Sequence, residues 1–353
     1  MTEPETEPRE GRPRVRRALL VATLAAMALA AAGGWLVTEQ RRALDAPLGV
    51  PDGGVEFVVP AGASFAGVVR KLAADGVLSH PRALEVYARW HGRADLIKAG
   101  EYRIVAGTSA IGLLDQLVEG RVVQHGLTIV EGWTFDQLMA AIEADERLEH
   151  TLTGLAPEAI MARLGLAGVH PEGRFFPDTY HFTRGTRDVD FLRRASAAMG
   201  DYLARAWAGR EPGLPLDSPE EALILASIIE KETGVASERA RIAGVFVERL
   251  RKGMRLATDP TVIYGMGEAF DGNLRRRDLR TDTPYNTYLR KGLPPTPIAI
   301  PSAAAIDAAL HPHVDGALYF VSKGDGSHHF SATYEEHQQA VDRYQRRRGS
   351  SGG

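Results

Sequence analysis

No charged residue occurs in the 21 residues from Ala18 to Thr38, and this stretch constrains the chain more than any other. As a helix rising 1.5 Å per residue it covers about 30 Å, the thickness of the hydrocarbon core of a bilayer. Arg12, Arg14, Arg16 and Arg17 stand immediately before it. Arginines there favour an N-terminus kept in the cytoplasm, with the bulk of the chain on the other side. Trp35 falls near the outer end, where interfacial aromatics collect. Ala28-Leu29-Ala30 resembles a signal-peptide cleavage site, but the apolar stretch is longer than a usual signal core. Retained or cleaved, the segment exports the remainder of the chain. The expectation is a single-pass plasma (inner) membrane protein with a disordered cytoplasmic tail at 1–17, a transmembrane helix at 18–38 and a linker at 39–54.

A chain of 353 residues has room for two or three domains at roughly 100–200 residues each. Its net charge of −3 lacks the basic excess of a nucleic-acid binder. It contains no cysteine, which excludes disulfides, thiol nucleophiles and thiolate zinc sites.

Residues 55–145 repeat a local pattern. VEFVVP, GEYRIV and GLTIVEG are β-like runs. Each is followed by a hydroxyl residue, Ser64, Ser109 or Thr134, and then by apolar residues three or four apart. A hydroxyl before such spacing reads as a helix cap, so the pattern predicts strand, cap and amphipathic helix three times over. The first two units resemble a LysM-like fold, with a plain structural stalk as the alternative. Residues 146–220 read as mostly helical, interrupted at 171–180. Helices are expected over 186–210, over 219–233, from a Ser237 cap to about Lys252, and over 303–310. Gly234 and Gly253 stand where helix-ending glycines belong. Gly324-Asp325-Gly326, between two β-like runs, signals a hairpin. A charged helix over 333–347 and a flexible tail at 347–353 close the chain.

The residues with the clearest chemistry lie in ALILASIIEKET, 222–233. Its first eight residues are apolar or small on every side, the mark of a buried helix. Glu230 and Glu232 then stand at the C-terminal end. Burial and the negative end of the helix dipole both oppose a charged carboxylate there, and both raise its pKa towards the range a general acid needs. Residues two apart lie about 200° apart around a helix axis, so the two glutamates cannot serve one substrate atom together. The two are therefore not the paired carboxylates of a two-acid glycosidase, and helix geometry does not choose between them.

Downstream, 254–301 is rich in Pro, Gly, Asp, Thr and Tyr, with little periodicity. Asp259, Tyr264, Tyr285, Asn286 and Thr287 supply the hydrogen-bonding groups and aromatic faces that a saccharide groove needs. His311, His313, His328, His329 and His337 show no fixed metal-binding spacing, so no metal is expected.

These residues carry a resemblance. ASIIEKETGVASERARIAGVFVERLRKGMRLATDPTVIYGMG (226–267) is similar to the endolytic murein transglycosylases, the MltG or YceG-like family. EGRFFPDTY (172–180), PYNTYLRKGLPPTPIAIPS (284–302) and LYFVSKGDGSHHFS (318–331) are similar to it as well. The resemblance implies an α+β fold with an N-terminal transmembrane helix, a LysM-like small α+β domain and a mixed α/β catalytic domain over 146–346. It implies cleavage of the MurNAc–GlcNAc β-1,4 bond within peptidoglycan strands, leaving 1,6-anhydro-MurNAc ends. The family's essential glutamate, the second of its E-K-E-T motif, falls on Glu232. Glu230, Asp259, Tyr264, Tyr285, Asn286 and Thr287 become candidates for orienting Glu232 or gripping glycan. No cofactor is needed. The implied partners are glycan strands and peptidoglycan polymerases (penicillin-binding proteins), and the implied role is to end strand elongation. Ser302 stands where the family commonly has glycine. A hydrolytic muramidase, or a silent scaffold that binds glycan or recruits a polymerase, are the alternatives.

Overall fold

The computed structural model describes residues 12–346. The tails expected at 1–17 and 347–353 fall outside the described residues, except that the chain is already helical from Arg12. The chain divides into two compact units, Met1–Val123 and Gln124–Gly353.

In the first unit, helix α1 (Arg12–Asp45) contains the uncharged stretch and is long and apolar enough to cross a membrane. It runs through the first part of the expected linker, because Leu44 near its end is buried among Leu72, Leu84 and Leu114 of the unit's core. After it come β1 (Val55–Val59), α2 (Phe65–Ala74), α3 (Pro81–Trp90), β2 (Gly100–Ile104) and α4 (Ala110–Glu119). β1 and β2 pair antiparallel, Val55 opposite Ile104 and Val59 opposite Gly100. The caps act as their residue types predict: Ser64 accepts from the Gly67 amide and Ser109 from that of Gly112. Burying each leucine of this core contributes about 1.5–3 kcal/mol.

The second unit opens with the third strand–cap–helix element, β3 (His125–Thr128) and α5 (Phe135–Glu143), capped by Thr134. The sequence pattern grouped this element with the first two, up to residue 145. It belongs to the second unit because β3 pairs with the later β5 (Thr179–Phe182), His125 opposite Phe182. Between them lie β4 (Leu148–Glu149) and α6 (Pro157–Leu164), and β6 (Thr186–Arg187) pairs parallel with β4. The region 146–187 is therefore less helical than its composition suggests. Then come α7 (Asp188–Ala208), α8 (Pro219–Glu232), α9 (Ala236–Arg251), α10 (Asp259–Met266), α11 (Ala303–Leu310), β7 (Tyr319–Ser322), β8 (His328–Ser331) and α12 (Tyr334–Val341). β7 and β8 form the expected hairpin.

The fold is α+β. All its sheets among the described residues are two-stranded, so the strands of 146–346 flank a helical core rather than build a large α/β sheet. Two details differ from the sequence reading. Ser237 lies inside the first turn of α9, whose cap position is Val235. Gly234 is not the left-handed stop of α8. That helix ends at Thr233 in extended backbone, and the Thr233 hydroxyl accepts from the Val235 amide at 2.9 Å.

Candidate active site

α8 is the axis of the site. Ala222 to Ile229 are all buried, packed among residues of α7, α9 and α11 such as Met199, Phe246 and Ile306. The helix starts at a Ser218 cap with Pro219 in its first turn, a favoured opening. Its other end carries the two glutamates, and the structure separates them. The Glu230 carboxylate accepts from the Ser302 amide, at 3.0 Å, and from the Ser302 hydroxyl. Ser302 in turn caps α11 by accepting from Ala305. Glu230 is thus a tether for the start of α11, not a partner of Glu232.

Glu232, half-buried, faces the other way. Its Oε1 accepts a hydrogen bond from the hydroxyl of Thr258, the cap residue of α10. Burial pushes its pKa above the ordinary glutamate value. The Thr258 bond opposes the rise, the charge of Asp259 adds to it, and His328 and Arg249 oppose it more weakly. The net direction favours a protonated carboxyl.

Thr258 is itself fixed. Its amide donates to the Thr287 hydroxyl at 3.1 Å, its carbonyl accepts from Thr261, and the Thr261 and Thr287 hydroxyls meet at 2.8 Å. All three threonines are buried. Ala257, just before Thr258, is the one non-glycine residue at positive φ, +48°, among the described residues. Such a conformation costs roughly 1–3 kcal/mol and persists only where the surroundings impose it. Here the Ala257 amide is held by the Thr287 carbonyl and the Leu256 carbonyl by buried Arg249.

Asp259 is exposed and accepts from the Tyr288 hydroxyl at 2.7 Å. Burial first, then that bond, raises the Tyr288 pKa, and the charge of Glu232 adds to the rise. Tyr288 therefore stands in the electrostatic neighbourhood of Glu232.

Tyr264 and Tyr285 form an edge-on pair with centroids 4.9 Å apart, and Tyr285 bonds Thr296. Gly265 permits this arrangement: a Cβ there would lie 2.9 Å from the Thr283 hydroxyl and 3.0 Å from the Tyr285 Cβ. The Tyr264 hydroxyl donates to Glu172 at 3.1 Å. Glu172, only 3% exposed, also accepts from the Phe135 amide at the start of α5. Burial lifts its pKa to about 7 against those bonds.

The sequence candidates thus fall into groups. Glu232, Asp259 and, through Thr258, Thr287 are brought together. Tyr264 and Tyr285 pack against each other, and Tyr264 also reaches Glu172. Asn286 is fully buried, donates to the carbonyls of Leu279 and Thr281 and accepts from the Tyr288 amide, bonds that hold the loop. Sequence reasoning missed Glu172, Thr258, Thr261, Arg249 and Tyr288 as site residues. For α10 and its cap a signal existed, since Thr258-Asp259-Pro260 is a helix-start pattern inside the Pro-rich stretch. Of the histidines, His328 pairs with Glu238 at 2.8 Å and His337 stacks on Tyr319. Among the described residues no group of three or more His, Asp or Glu is placed to hold a metal ion.

This arrangement suits acid–base chemistry run by one carboxyl group. The YceG-like family matches residues 57–343, and the chain belongs to that family. It is 30% identical to the endolytic murein transglycosylase of Bacillus subtilis (strain 168), over 82% of this chain and 84% of the relative. It is 27% identical to the protein of the same name from Streptococcus pneumoniae serotype 2 (strain D39), over 92% of this chain and 65% of that relative. The crystal structure of a yceG-like protein from Listeria monocytogenes is similar in fold. Its TM-score is 0.52 at 28% identity, over 82% of this chain and 99% of that one.

Proposed function

We propose that the chain is a membrane-anchored endolytic lytic transglycosylase of peptidoglycan, with Glu232 as its catalytic acid and base. One observation carries the reading. Glu232 ends a buried helix, is oriented by a buried threonine cluster, and sits where burial favours its protonated form. The relatives named endolytic murein transglycosylase supply the substrate class.

In the proposed reaction the Glu232 carboxyl donates its proton to the glycosidic oxygen as the MurNAc C1–O bond breaks. The carboxylate then takes the proton of the same sugar's C6 hydroxyl, whose oxygen closes on C1. The products are an anhydro-MurNAc end and a free GlcNAc hydroxyl, and Glu232 is again protonated. The nucleophile is intramolecular, so one carboxyl group suffices. Thr258, held by Thr261 and Thr287, fixes the carboxyl, and the Asp259–Tyr288 pair tunes it. The Tyr264–Tyr285 pair offers rings to the sugar faces.

Helix α1 supports a single-pass anchor in the inner membrane with the N-terminus cytoplasmic. The antiparallel pairing of β1 with β2 supports the LysM-like reading of the first two strand–cap–helix units. Cleavage within strands beside the membrane would suit an enzyme that ends elongation next to the polymerases, the penicillin-binding proteins. The test is mass spectrometry of peptidoglycan digested by the full chain in detergent. Anhydro ends are expected, and Glu232→Gln should remove them. Ordinary reducing ends would assign a muramidase instead, and undiminished activity in Glu232→Gln would refute the residue assignment.

A further inference from the structure

Helix α3 buries Leu84 and Ala88 in the first unit's core. Its opposite edge leaves Val86 63% and Trp90 80% exposed, one turn apart. Beside that edge lies a cavity of about 550 Å³, lined by Leu36, Val37 and Leu44 of α1 and by Ala83, Val86 and Trp90 of α3. Arg41 and Arg82 also reach its wall. A soluble module rarely presents a tryptophan, a valine and an apolar groove side by side to water.

The position of this patch along α1 indicates what covers it. Leu36 and Val37 belong to the uncharged stretch, whereas Gln40, Arg41 and Leu44 lie beyond its end at Thr38. The groove straddles the level at which the apolar segment gives way to polar residues. From Leu36 to Leu44 a helix advances about 12 Å, comparable to the roughly 5–10 Å depth to which interfacial helices sink into the boundary between headgroups and acyl chains. Tryptophan favours that depth, and arginines suit phosphate headgroups. Trp35 is exposed on α1 at the same end. Because α1 stays helical to Asp45 and buries Leu44, the span and the module are joined by a packed helix end rather than a slack tether.

We propose that the exposed edge of α3 and the groove beside it are a seat for the phospholipid bilayer, so that the first unit lies against the membrane surface. The inference rests on the reading of α1 as a membrane span. Its test keeps the two apart.

The chain has no cysteine, so single labels can be placed in the full-length protein without other changes. Val86→Cys, Val58→Cys (on the exposed side of β1) and Leu29→Cys (inside the apolar stretch) are each labelled with an environment-sensitive dye. They are reconstituted into vesicles of phosphatidylcholine and phosphatidylglycerol carrying doxyl quenchers, either near the headgroup or near the chain end. The label at 86 should be quenched by headgroup-proximal doxyl at least about twofold more than the label at 58, as an edge sunk to that depth requires. The label at 29 should respond most to the chain-end doxyl. Equal quenching at 86 and 58, with 29 quenched, overturns the seat and leaves the anchor standing. A blue-shifted dye at 86 that lipid quenchers do not reach means that protein, such as a second copy, covers the patch, and this also overturns the seat. An unquenched label at 29 overturns both readings.

Discussion

The two units bury different things. The first encloses hydrocarbon, and among its described residues Glu101 is the one buried residue of charged or small polar type. Its buried Tyr102 hydroxyl donates to the Lys98 carbonyl. The second unit buries a dozen such residues, among them Glu172, Arg249, Thr258, Thr261, Asn286 and Thr287. Each costs roughly 1–3 kcal/mol if left without a partner. Around the end of α8 the buried Thr258, Thr261 and Thr287 hydrogen-bond to one another, and Thr258 holds a Glu232 carboxyl whose pKa is raised. A core that is only packed gives stability, whereas a core that holds polar groups in place also gives chemistry.

Substitutions in the second unit's polar core should affect chemistry before stability. The largest effect is expected from Glu232→Gln, which should lower the rate of anhydro-end formation by about a hundredfold to ten-thousandfold, the usual worth of a positioned general acid. A smaller loss would show that the polar core does not converge on this group. Thr258→Val comes next. Losing a hydrogen bond to a carboxylate should slow turnover by about tenfold. Because that bond favours the charged form, the alkaline limb of the pH–rate profile should move to higher pH. Asp259→Asn removes a neighbouring negative charge that raises the Glu232 pKa, so its alkaline limb should move to lower pH. Shifts of the same sign in both variants would contradict the assigned electrostatics.

Glu172 tests stability rather than rate. Its folded pKa of about 7 stands above its ordinary 4.5. The folded state therefore holds a proton that the unfolded chain releases. That contribution is complete below the unfolded value and is lost as pH rises through the folded one. It amounts to at most about 3 kcal/mol. Denaturant titrations should show stability falling between those two pH values in the wild type, with a flatter profile for Glu172→Gln. An unchanged profile would remove Glu172 from the account. The smallest effect belongs to Ser302→Ala, which loses the α11 cap and the hydroxyl held by Glu230. Stability should drop by about 1 kcal/mol with activity kept. A large loss of activity would return Glu230 to the site.

Much of this was legible before any coordinates. The all-apolar face of Ala222–Ile229, the hydroxyl caps Ser64, Ser109 and Thr134, and the hairpin around Asp325 are local patterns, and local physics decides them. What stayed hidden depends on distant segments. Thr258 reaches Glu232 from 26 residues away, and Glu172 meets Tyr264 from 92. No periodicity announces such meetings. The bonds that Asn286 and Glu230 make to neighbouring segments were hidden for a related reason. A polar side chain in a loop or at a helix end can serve backbone amides and carbonyls as readily as a ligand, and only the fold reveals which. The third strand–cap–helix element has the local pattern of the first two, yet the pairing of β3 with β5 places it in the other unit.

The mechanism depends on burial raising the pKa of the Glu232 carboxyl above its ordinary value. Carbon-13 NMR of glutamate side-chain carboxyls, titrated in the full-length protein and compared with Glu232→Gln, measures this directly. The resonance missing from the variant should titrate above the ordinary glutamate value of 4.5. A resonance that titrates at or below that value would contradict the account.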